Sequence, residues 1–172
     1  MSELNFNDSL KFPIPQSKIA DGKRFLVFSL DHNKEGVISI ENLQGVVQID
    51  LNEILPIPET PQSLLGIFSW RGEAIWSLDL AEYLGENSLL SAKEKNTKLF
   101  GAITINKKRN LALLVNKIAS IAVHNSEKDL LPMTAGMVSP ETARFLQGYF
   151  LKSDGVTPQF LLNLDVIFEI LE

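Results

Sequence analysis

Residues 64–80 read LLGIFSWRGEAIWSLDL, two apolar runs that meet at Arg71–Gly72. The first run (Leu64, Leu65, Ile67, Phe68, Trp70) is too short for an independent helix. It is also broken by Gly66, a residue that helices disfavour and strand bends use. Beyond the turn, Ala74, Trp76, Leu78 and Leu80 share one face, and Glu73, Ile75, Ser77 and Asp79 the other. That period of two is the mark of a strand with unequal faces, and it predicts that Trp76 is buried. Gly72 supplies the permissive backbone of a tight connection. The expected unit is a strand, a turn carrying one cation, and a returning strand. Arg71 then has two readings, a solvated turn charge or a fork-shaped donor held for a carboxylate. Local pattern alone does not separate them.

Upstream lies ILPIPETPQ, whose Pro56, Pro58 and Pro61 forbid a helix interior and impose a stiff, extended connection. Before it, RFLVFSL (24–30) and VISI (37–40) flank the turn formers DHNKEG, which predicts a hairpin. Ile40, Leu43, Val46 and Val47 then fall at helical offsets, so one short helical turn is expected there, weakened by Gly45. Downstream, AEYLG (81–85) closes the central unit and residues 86–98 read as a solvated loop. LFGAITI (99–105) and LALLVNKIASIAV (111–123) flank NKKRN, another hairpin signature, whose Lys107–Lys108–Arg109 tip reads as a solvated turn rather than an anion site. A stretch punctuated by Pro and Gly leads to strand-like FLQGYFL (145–151). The turn KSDGVTPQ follows, then a tail expected to pass from strand to short terminal helix. Many short strands and little helix indicate an all-β barrel or sandwich.

Composition bounds the rest. The 172 residues suit one domain, or two small lobes, and 45% hydrophobic content supports a core without staples. The absence of cysteine excludes disulfides, thiolate metal sites and cysteine nucleophiles. A net charge of −5, with no basic run longer than three residues, argues against nucleic acid as a partner. No apolar stretch approaches the roughly 20 residues of a membrane span. Residues 1–21 are polar, carry Pro13 and Pro15, and lack the pattern of a secretory signal; they are expected to form a flexible arm preceding a domain over residues 22–172. Together these features predict a cytoplasmic globular protein with no direct membrane insertion.

Catalytic chemistry is sparse. His32 and His124 sit among turn formers, are expected to be exposed, and have no partner at zinc-helix spacing. No GxSxG, Walker or GxGxxG pattern occurs. Asp79 and Asp165 each follow a leucine near a strand end, where an aspartate ordinarily caps the next turn or helix. Trp70 and Trp76 read first as core aromatics, with Trp70 the better candidate for lining a partner surface. No constellation points to an enzyme, a cofactor or a metal, and the sequence suggests a module whose business is contact.

RFLVFSL, GVISIENLQGVV and ILPIPETPQSLLGIFSWRGEAIWSLDLAEYLG together resemble a CheW-type adaptor domain. LFGAITINKKRNLALLVNKIASIA, FLQGYF and FLLNLDVIFEIL continue the likeness to the chain's end. The resemblance covers about residues 23–172, and the hairpin around Arg71–Gly72 is its most specific part. It implies an all-β fold of two intertwined SH3-like five-stranded β-barrel lobes with short helical segments. It also implies a non-catalytic scaffold joining a chemoreceptor's cytoplasmic tip to the regulatory domain of a CheA-type histidine kinase, in chemotaxis, phototaxis or type IV pilus motility. Carried over by position, the partner-binding residues are Leu43, Gly45, Val46, Arg71 and Gly72. Gly45 stands where the family commonly has an acidic residue, Ser69 where it has asparagine, Trp76 where it has proline, and Asn116 where it has aspartate. The Gly45 difference inclines the reading towards a non-flagellar system. Two alternatives stay open: a ligand-binding or enzymatic β-barrel, which needs a pocket of convergent polar groups, and a domain that self-associates through an exposed strand edge.

Overall fold

The computed structural model describes residues 2–4, 22–31, 33–88 and 98–172. Eleven strands occur among them: β1 (Ser2–Leu4), β2 (Lys23–Ser29), β3 (Glu35–Ser39), β4 (Leu43–Ile49), β5 (Leu64–Trp70), β6 (Glu73–Asp79), β7 (Leu99–Asn106), β8 (Arg109–Val115), β9 (Ile118–His124), β10 (Leu146–Leu151) and β11 (Pro158–Leu162). They form two SH3-like sheets. One has the order β4-β7-β8-β6-β5, with β1 added beside β4; the other has the order β10-β11-β3-β2-β9. Most neighbours are antiparallel, but β6–β8 and β11–β3 run parallel. Apart from β1, strands from the two ends of the domain and β9 build the second sheet, and β4 to β8 build the first.

Within residues 23–172, two crossings connect the lobes. The first is the 3-10 turn Ile40–Asn42, capped by the Ser39 hydroxyl accepting from the Glu41 amide. The helical offsets between Ile40 and Val47 therefore belong to a strand: β4 runs through Gly45 with a bulge between Leu43 and Gly45. The apolar offsets arise because β4 is covered on both sides. Val46 faces the core shared by the two sheets, whereas Val47 and Ile49 face a second core. The second crossing splits the apolar run 111–123 at Asn116–Lys117, with β8 left in one sheet and β9 in the other.

The shared core takes Leu26, Phe28, Ile38 and Phe160 from one sheet and Leu43, Leu78, Leu111 and Leu113 from the other. On β8, Leu111, Leu113 and Val115 turn into it while Ala112 and Leu114 turn into the second core. A strand buried on both faces reads as a continuous apolar run. Polar groups reinforce the junction. The Thr142 hydroxyl donates to the Leu84 carbonyl at 2.6 Å. Lys34 Nζ lies 3.1 Å from Glu86 and 3.2 Å from Asp31. Partial burial opposes the Lys34 charge, but the hydrogen bonds and charges of Glu86 and Asp31 outweigh it and raise the lysine's pKa.

Ser2–Leu4 pair antiparallel with Val46–Gln48. The rest of the N-terminal arm, His32, and residues 89–97 of the loop after the central unit lie outside the described residues. The tail passes from β11 into the short helix Leu164–Ile167 and a 3-10 turn, as the sequence predicts.

Candidate partner-binding site

The segment 64–80 folds as the expected hairpin, β5 and β6 joined by Arg71–Gly72. Both turn residues are left-handed, with φ of 49° and 79°. This two-residue connection matches the twist of its strands. Behind it, the proline-marked segment returns along β5. Leu55 and Ile67 exchange backbone hydrogen bonds of 2.8 and 3.0 Å. Gly66 is the close approach that permits this, because a Cβ there would lie 2.1 Å from the Leu55 carbonyl oxygen. Its own carbonyl accepts from the buried Ser77 hydroxyl at 2.9 Å.

Arg71 and Gly72 are exposed. The Arg71 guanidinium carbon sits 4.5 Å from the centroid of the Trp70 ring. Trp70 itself is only 4% exposed, packed with Val47, Phe68, Ile75 and Ile103. The core reading therefore holds for Trp70, and its alternative as a partner-facing aromatic does not. Trp70 is buried, while Trp76 is half-buried against the shared core. Alternation along β6 did not settle this because both faces of the sheet are covered: Ile75 points into one core and Leu78 into the other.

Leu43, Gly45 and Val46 do not share the exposure of Arg71. Leu43 and Val46 are buried in the shared core, and a Cβ on Gly45 would lie 3.2 Å from Trp70 Cζ2. The structure therefore joins Gly45 to Arg71 through an indole. It sends the side chains of Leu43 and Val46 into the junction between the sheets.

The other candidates separate. Asp79 is fully buried, caps Leu80–Tyr83 by accepting from the Glu82 amide at 3.2 Å, and accepts from the Ser88 hydroxyl at 2.8 Å. Asp165 is exposed and accepts from Asn106 Nδ2 at 2.9 Å; Asn163, not Asp165, caps its helix. His124 is not an exposed loop histidine. It ends β9 at 4% exposure, stacks on Phe150 at 4.4 Å between ring centroids, and meets Gln159 Oε1 at 2.8 Å. Pairing of Lys23 with His124 carries β9 further than the polar run HNSEKD suggests. Among the described residues, no group of three or more His, Cys, Asp or Glu side chains is placed to hold a metal ion, and no helix is long and apolar enough to cross a membrane.

Comparison with known proteins agrees with this architecture. The crystal structure of the scaffolding protein TtCheW from Thermoanaerobacter tengcongensis superposes with a TM-score of 0.70 at 24% identity, covering 86% of this chain and 93% of that one. No curated protein matches the chain. The family profile for the CheW-like domain matches residues 24–171, which span both sheets and the Arg71–Gly72 hairpin. The chain belongs to the CheW-like domain family.

Proposed function

We propose that this chain is a non-catalytic adaptor of a bacterial chemosensory system. It couples the cytoplasmic tip of a chemoreceptor to the regulatory domain of a CheA-type histidine kinase, in the cytoplasm and recruited to membrane-associated receptor arrays. The family match over 24–171 carries this reading. An adaptor needs surfaces with anchored contacts and polar rims, and no reactive group. The contact proposed for the receptor is the Arg71–Gly72 turn, a cation on a rigid, packed support. Leu43, Gly45 and Val46 enter it as the strand on which that support rests.

Titration calorimetry against the regulatory domain of a CheA-type kinase from the same genome tests the kinase side. Saturable binding at micromolar affinity or tighter is the expected result. Absence of heat and of any complex in sedimentation, for every such kinase in the genome, refutes it.

A further inference from the structure

Residues 70 and 71 are sequence neighbours, and neighbours in a strand point to opposite faces. Their side chains meet here because the chain turns at Arg71 with a φ of 49°, which brings the guanidinium back over the Trp70 ring. Left-handed backbone at a residue other than glycine is unfavourable, so the contact is held against a local cost. The ring beneath is positioned by shape alone. Trp70 Nε1 is buried with no hydrogen-bond partner among the described residues, so no polar contact fixes the indole. Its packing partners fix it, and position 45, which shares the inward face of β4 with Val47 and Ile49, is one wall of that packing. A Cβ at Gly45 would stand 3.2 Å from Trp70 Cζ2 and 3.9 Å from Cε2, close enough to displace the ring by a few tenths of an ångström.

We propose that Gly45 and Trp70 are positioning residues for Arg71: the missing side chain at 45 admits the indole, and the indole sets where the guanidinium meets an acidic side chain of the partner. A guanidinium fork on a rigid turn is matched to a carboxylate in both charge and geometry. Gly45 thus acts on recognition from inside the lobe, without touching the partner. The identity of the partner rests on the adaptor reading; the positioning does not.

The test therefore has two arms, both on the full chain. In the first, nuclear magnetic resonance reads the ring-current shift of the Arg71 side-chain protons. An upfield shift is expected in the wild type. It is expected to shrink in Gly45→Ala at nearly unchanged melting temperature, to vanish in Trp70→Leu, and to return in part in Gly45→Ala/Trp70→Phe, where a smaller ring relieves the crowding. A shift absent from the wild type, or unaltered by Gly45→Ala, overturns the positioning. In the second, calorimetry measures binding to the cytoplasmic fragment of the cognate chemoreceptor. Gly45→Ala and Arg71→Ala are each expected to weaken binding, Arg71→Ala by about tenfold or more, and the double variant to be no weaker than Arg71→Ala alone. Additive losses overturn the proposal. Replacing the fragment's carboxylates with amides one at a time is expected to reproduce the Arg71→Ala loss at one position, and loss at none overturns the acidic assignment. If the wild type ignores the receptor fragment, the receptor side of the adaptor reading fails, and the positioning is decided by the first arm.

Discussion

The first sheet carries two basic two-residue turns of nearly the same local geometry and opposite surroundings. Arg71–Gly72 joins β5 to β6 with φ of 49° and 79°; Lys107–Lys108 joins β7 to β8 with φ of 49° and 67°. At the first, the cation lies 4.5 Å from the ring of a buried tryptophan. At the second, Lys107 lies 3.9 Å from Asp165, with both side chains more than two-thirds exposed. An exposed pair of that kind contributes little. The difference shows that a charged turn becomes a contact through what lies beneath it. Turn type, charge and left-handed backbone are common to both.

The strongest way to break the comparison is to remove the support of each turn. Gly66 in β5 and Gly101 in β7 occupy the first strands of the two hairpins, but their neighbours differ. A Cβ at Gly66, where φ is 141°, meets backbone at 2.1 Å, whereas one at Gly101 meets the tip of the Ile49 side chain at 2.9 Å. Gly66→Ala is expected to lower unfolding free energy by about 3 kcal/mol or more and Gly101→Ala by about 1 kcal/mol, as measured by urea denaturation. Similar losses would mean that the two hairpins are equally supported.

Removing the charges probes function. Arg71→Ala is expected to cost about 2 kcal/mol of receptor binding, roughly thirtyfold, at nearly unchanged melting temperature. Lys107→Ala is expected to change neither quantity. A large fall in melting temperature for Arg71→Ala would make the residue structural.

A smaller effect of opposite sign sharpens the contrast. Lys108 has the left-handed backbone that Gly72 adopts without a Cβ. Lys108→Gly is expected to stabilise the protein by about 1 kcal/mol, a rise of a few degrees in Tm, without altering binding.

The smallest expected effect belongs to a third turn, between β10 and β11. Asp154 accepts from the Thr157 hydroxyl and from the amides of Thr157 and Val156, and these bonds lower its pKa from 3.8 to about 2. Its carboxylate therefore supports the folded turn fully above pH 4, and this support fades as the pH falls towards 2. Amide shifts of Val156 and Thr157 are expected to follow that titration, and Asp154→Asn to abolish it.

Much of the β architecture was legible because its signals are local. The hairpin at Arg71–Gly72, the proline-stiffened approach, the basic turn at Lys107–Lys108 and the strand-to-helix tail follow from turn chemistry and period. The cap formed by Asp79 was legible for the same reason. Where burial decided, the pattern misled. Residues 40–47 suggested one short helical turn, but only Ile40–Asn42 is helical, because β4 is apolar on both faces; Trp76, expected to be buried, is half-buried because β6 is covered on both faces too. His124 looked exposed beside polar neighbours, yet Phe25 and Phe150 enclose it.

The sequence by itself determined the all-β class, the position of the central hairpin and the family, since these rest on spacing and on residues that act where they stand. Tertiary structure alone decided that the apolar run 111–123 divides between two sheets, that Trp70 is buried more deeply than Trp76, and that the empty side of Gly45 is filled by Trp70. Each of these is a contact between segments distant along the chain. Such contacts depend on which face the assembled fold covers, and a strand covered on both faces carries no local sign of which core each side chain will enter.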